Sequence, residues 1–165
     1  MENTSLEIIQ LMEYSVRPAT EADFPAILSL IKELAEYERA PDKVTNTVEQ
    51  MNEEKDLFRG FVAQTGDGEI VGMAIWFMAY YTWVGKSLYL EDIYVKEPFR
   101  QHRVGSALLR KVFEVARAEK CKRVRWQVLD WNEPAIAFYR KCGAELDGEW
   151  INCNFDEEGI ANFNI

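Results

Sequence analysis

The sequence predicts a mixed α/β fold: a mostly antiparallel central sheet, one parallel β-α-β crossover, and helices on both faces. Three observations carry this. The turn TGDGE separates GFVAQ from IVGMAIWFMAY, a strong hairpin signal. The strand-like run LYLEDIYV leads through a basic loop into a segment of helical period and then another apolar run, an order that makes a parallel, right-handed crossover. Finally, 165 residues at 48% hydrophobic content suffice for one well-buried core rather than two. One domain is expected over 14–165, preceded by an extension over 1–13.

Tyr14 to Pro18 reads as a first strand stopped by proline. Thr20, with Asp23 three residues on, forms a capping-box pattern. Phe24, Ile27, Leu28, Ile31, Leu34 and Ala35 follow at helical spacing, so a helix should run to Tyr37–Arg39, before Pro41. A shorter polar helix is expected over 47–54. After the hairpin, Leu108, Leu109, Val112, Phe113 and Ala116 mark a second amphipathic helix. A strand is expected over 122–129, a third helix over 133–141 closed by Gly143, and a last strand over 150–155.

Within LYLEDIYV the apolar phase slips. Leu88 and Leu90 alternate one way, Ile93 and Val95 the other, and the slip falls at Glu91-Asp92. A β-bulge repairs such a slip and re-aims nearby groups. A strand buried on both faces would also tolerate it, so both readings stand at this point.

Composition narrows the functional classes. The net charge of −9 argues against nucleic acid as a partner and suits either a cationic small substrate or simple solubility. No apolar run approaches the ~20 residues a membrane helix needs, and the N-terminus lacks signal-peptide features. Cys121, Cys142 and Cys153 form no CxxC and are odd in number, which fits reduced thiols in a cytoplasm. The single histidine, His102, leaves zinc short of ligands, so no metal is expected.

The loop FRQHRVGSALL brings Arg100 and Arg103 to the start of a helix. Unpaired N–H groups and the helix dipole make that place receptive to phosphate. Gly105 offers a close backbone approach or a positive φ. The Walker Lys-Ser/Thr pair and GxGxxG are both absent, and an exposed basic turn is the plain alternative.

RQHRVGSALL resembles the pyrophosphate-binding motif of the GNAT superfamily of N-acetyltransferases, R/Q-x-x-G-x-G/A, with Arg100 first, Gly105 last, and Arg103 in place of the middle glycine. VRPAT, LIKELAEYE, TWVGKSLYLEDIYV and DWNEPAIAFYRKCGA narrow the likeness to the diamine and thialysine acetyltransferase branch, across 16–150. The resemblance implies acetyl-CoA as co-substrate. Its pyrophosphate would lie on Arg100, Gln101, His102, Arg103, Val104, Gly105 and Ser106. Its pantetheine would lie along Ile93, Tyr94 and Val95 and beside Asn132, Glu133, Pro134, Ala135 and Tyr139.

The same resemblance makes Tyr139 the acid that protonates the leaving thiolate, and Glu91 the carboxylate that contacts the amine and relays its proton. Tyr37, Glu38 and Trp83 would line the amine channel. Trp126 and Gln127 are placed with Arg125 among the acceptor contacts. Asp92 reads instead as a structural partner, and Asn132 is also a good N-cap by itself. The expected activity is acetyl transfer to a primary amine of a polyamine, in a cytoplasmic homodimer. A thialysine or lysine-like acceptor is the alternative, with Arg125 available for a substrate carboxylate. A non-catalytic acyl-CoA-binding module is the second alternative.

Overall fold

The computed structural model describes residues 13–164, which fall into two compact units, one reaching Gln127 and one beginning at Val128. Apart from Glu13, the expected N-terminal extension lies outside the described residues. In the first unit a five-stranded sheet has the order β1-β2-β3-β4-β5. Its strands are β1 (Tyr14–Pro18), β2 (Arg59–Thr65), β3 (Ile70–Tyr81), β4 (Gly85–Val95) and β5 (Val124–Arg125). Pairing is antiparallel through β4 and parallel between β4 and β5, as the crossover predicts.

Among the described residues of this unit the α-helices are α1 (Phe24–Tyr37), α2 (Val48–Glu53) and α3 (Val104–Ala118). Their phases fix the layers. Met73 and Ile75 share a buried cluster with Phe24, Ile27 and Leu30 of α1. A Cβ on Gly72 would meet Leu108 and Val104 of α3 at 3.2 and 3.3 Å, so α3 sits close on the opposite face. The absent side chain at Gly72 is what permits that approach.

The entry to α1 is tightly tied. The Thr20 N–H donates to Asp23 at 2.8 Å, and the Arg17 guanidinium donates to both carboxylate oxygens at 2.7 and 2.8 Å. Asp23 is buried, and the Arg17 bond holds its carboxyl down at about 2. Because the folded value lies below the unfolded one, this stabilisation is complete above about pH 4 and disappears as pH falls toward 2. Replacing Asp23 by Asn should cost about 2 kcal/mol in urea titrations at pH 7 and progressively less below pH 4.

The exit of α1 sets up the site. Glu38 caps the helix and Arg39 takes a left-handed φ of 61°. The Ala40 N–H then donates to the Ala35 carbonyl and the Arg39 N–H to Glu36, a Schellman closure without glycine.

The expected bulge is present. Ile75 pairs with Asp92 but Trp76 pairs with Leu90, leaving Glu91 as the extra residue. The strand expected over 122–129 is much shorter. The β4–β5 ladder holds only Leu88↔Val124 and Tyr89↔Arg125, ending just before the bulge. Bending β4 there withdraws the edge that a longer β5 needs.

The second unit contains α4 (Glu133–Lys141) and α5 (Glu157–Ala161). Gly143, at φ 88°, closes α4 as expected, its N–H donating to Arg140. The strand expected over 150–155 does not form, and the regular element there is α5, whose Asp156 cap accepts from the Gly159 N–H at 2.8 Å. An alternating run becomes a strand only where another edge supplies its ladder, and none in the described chain does.

Candidate active site

The bulge brings two carboxyl groups together with the end of α1. Glu91 is exposed, whereas Asp92 is half-buried. Burial, then the nearby charges of Glu91 and Glu38, push the Asp92 carboxyl up to about 6. Glu38 is itself half-buried and raised by burial. Asp92, read from sequence as structural, therefore has the most perturbed acid–base character in the group. The phase slip located it; its burial depends on the packing of α1 over the sheet.

On the β5 side, β4 is open beyond the bulge. Leu88 donates to the Arg123 carbonyl across that edge, while Lys96 donates to Val71 of β3. Alternation with the one-residue slip then turns the backbone groups of Ile93 and Val95 to the open edge. One of them is used: Arg100 Nε donates to the Val95 carbonyl at 2.9 Å. The guanidinium also lies 5.2 Å from the Tyr37 ring and 5.4 Å from the Tyr94 ring. Arg100 thus joins the loop to α1 and β4.

The basic loop differs from expectation in its glycine. Gly105 lies inside the first turn of α3, and a Cβ there would make only an ordinary 3.8 Å contact with Val95. The left-handed conformations fall on Gln101 and Arg103, at φ 66° and 64°. Arg103 is the N-cap residue, and no side chain caps the helix. Substituting Arg103→Gly should therefore stabilise the fold by about 1 kcal/mol, measured as a higher urea midpoint at unchanged slope.

The remaining candidates separate by location. Tyr37 is 38% exposed beside Glu38, and Trp83 lies in the β3–β4 turn at 85% exposed. Trp126 packs edge-on against Phe113 of α3. Arg125 pairs with Tyr89 on β4, and its guanidinium lies 5.8 Å from the Tyr81 ring. Gln127 is exposed. In the second unit, Tyr139 is 7% exposed on α4, and Asn132 caps that helix by accepting from the Ala135 N–H at 3.3 Å. Glu133 and Pro134 occupy its first turn. Among the described residues no group of three or more His, Cys, Asp or Glu could hold a metal ion.

A family model described as the acetyltransferase (GNAT) family matches residues 24–144. The chain belongs to this family. This N-acetyltransferase is 38% identical over 160 residues to thialysine N-epsilon-acetyltransferase of Sus scrofa, covering 88% of this chain and 94% of that protein. It is 41% identical over 115 residues to the protein of that name from Caenorhabditis elegans, covering 68% and 71%. Spermidine/spermine N(1)-acetyltransferase-like protein 1 of Homo sapiens is 31% identical over 173 residues, 97% of this chain and 24% of that protein. An aminoglycoside acetyltransferase from an uncultured soil metagenomic sample shares the fold at a TM-score of 0.72 and 16% identity, covering 87% and 95%.

GNAT acetyltransferases use acetyl-CoA. The residues present fit such a group. An uncapped helix N-terminus behind two left-handed residues leaves N–H donors for phosphate, and the open edge of β4 leaves donors and acceptors for amides. Among the described residues no helix is long and apolar enough to cross a membrane.

Proposed function

We propose that this N-acetyltransferase moves an acetyl group from acetyl-CoA directly to a primary amine of a small cationic acceptor. The observation that carries the reading is Asp92: a half-buried carboxylate held near 6 at a bulge, beside Glu91 and Glu38. A group of that affinity is ionised at neutral pH yet is a stronger base than an ordinary carboxylate. Amines of this class arrive protonated. Asp92, with Glu91 beside it, takes one proton from the acceptor ammonium, and the freed lone pair attacks the thioester carbonyl carbon. The C–S bond breaks, Tyr139 gives its phenolic proton to the departing thiolate, and the second proton of the attacking nitrogen leaves to solvent as the amide forms, solvent restoring the phenol. Glu38 and Tyr37 hold the cation while it waits. Acetyl-CoA supplies the activated acetyl group. In this reading the backbone of Ile93, Tyr94 and Val95 meets its pantetheine, and the 100–106 loop meets its phosphate end.

Two acceptor classes fit: polyamines, and thialysine or a lysine-like amino acid. Release of thiol from acetyl-CoA in the presence of spermidine, spermine, putrescine, thialysine and lysine tests the reading. Turnover with members of the panel supports it. Coenzyme binding without turnover on any of them overturns it in favour of a non-catalytic acyl-CoA-binding role.

The same reading places the protein in a cytoplasm, where its three free cysteines remain reduced, and makes it a homodimer. Support for the dimer comes from Trp150, Ile151, Phe155, Ile160 and Phe163, each at least 61% exposed. Light scattering at micromolar concentration should give twice the 19.2 kDa chain mass.

A further inference from the structure

One face of the sheet continues past the end of α1 and carries charge of opposite sign at its two ends. Odd-numbered residues of β3 face α1: Met73 and Ile75 lie under the helix, and Phe77, Ala79 and Tyr81 extend the same row beyond it. Their partners share the face. Asp92 pairs with Ile75, Tyr89 pairs with Phe77, and Arg125 pairs with Tyr89. Phe77 and Tyr89 stack at 5.1 Å between centroids, making an aromatic floor. At the far end, Arg123 and Arg125 place their guanidiniums 5.3 and 5.8 Å from the single ring of Tyr81. The acids Asp92, Glu91 and Glu38 stand at the near end.

Among the described residues the pair of arginines is unbalanced. Among the described residues no carboxylate lies within 4.0 Å of either guanidinium, in a chain with a net charge of −9. Holding two like charges over one ring without a counter-ion is unfavourable unless an anion joins them. Tyr89 lies between the two ends, since it pairs with Arg125 of β5 and with Phe77, two positions along β3 from the Ile75 that pairs with Asp92. Two residues along a strand and one strand across put the Asp92 and Arg125 backbones about 8 Å apart. An extended lysine-like amino acid sets its terminal amine about 7 Å from its carboxyl carbon.

We infer that Arg123 and Arg125, held by Tyr81, are specificity-determining residues that bind the carboxylate of an amino-acid acceptor whose side-chain amine lies at Asp92. This rests on the proposed amine acetylation and selects among its acceptors. A polyamine would bring a second cation against two guanidiniums.

The test uses acceptor pairs that differ only in the carboxylate: lysine against cadaverine, and thialysine against its decarboxylated diamine. Wild type, Arg123→Gln, Arg125→Gln and Arg125→Lys are compared in turnover and, separately, by calorimetric binding. Wild type should favour the carboxylate-bearing member of each pair. Each Gln variant should lose about tenfold or more for that member alone, with the diamine used no less well than by wild type and the KM for acetyl-CoA unchanged. Arg125→Lys should recover part of the loss. Equal losses for both members, or no preference in wild type, would overturn the assignment. Binding keeps the outcomes distinct: carboxylate-selective binding without turnover would retain the arginine site and sink the acetylation reading.

Discussion

Asp92→Asn should yield a protein that is more stable and nearly inactive. The raised carboxyl is costly to ionise in the fold. That cost is absent below about pH 4, grows as pH rises toward 6, and is complete above it. Removing the charge should add about 2 kcal/mol at pH 7.5 and little at pH 4, in urea titrations at the two pH values. Its window is the reverse of the Asp23 window, where stability fails as pH falls. Turnover should drop by about 100-fold or more, because an amide accepts no proton. Wild-type kcat/KM should rise through an apparent value near 6, and the rise should vanish in the variant. A variant that loses activity without gaining stability would point to misfolding rather than loss of a base. Retention of the pH step would assign it elsewhere, with Glu38 and Glu91 the next carboxylates to test.

Tyr139→Phe should lower kcat by about 100-fold or more while leaving the KM for acetyl-CoA within a factor of about 2. The substitution removes one hydroxyl and keeps the buried ring and its contact with Phe138 at 5.5 Å. The readout that separates acid from packing is the leaving group. An acetyl donor whose thiol is more acidic needs less protonation, so the variant should recover most of its rate on it. Equal loss on both donors would make Tyr139 a packing residue.

Much of this protein is legible in its chain. The hydrophobic phase slip falls at Glu91-Asp92, and of the two readings it allowed the register selects the bulge, with Glu91 as the extra residue. The stripe from Phe24 to Ala35 sets α1, and the TGDGE turn sets the β2–β3 hairpin. Motifs of 82–95 and 130–144 point to the family, since their residue types serve a reaction as well as a fold. What sequence missed depends on neighbours distant in the chain. A strand over 150–155 has the right alternation but no partner edge, so local pattern alone misleads. Positive φ settles on Gln101 and Arg103 rather than on Gly105, because the ends of β4 and α3 dictate the path between them. The phase slip located Asp92, but its altered acidity arises from burial and then from the charges of Glu91 and of Glu38, which lies far away in the chain. The pairing of Arg123 and Arg125 around Tyr81 is likewise a product of the β3–β4–β5 register. Sequence by itself determined most of the elements, the place of the phase slip and the family, because these follow from local periodicity and residue chemistry. Only the tertiary structure decided which charges share a face and how far each is from water, because field and solvation depend on distances through space.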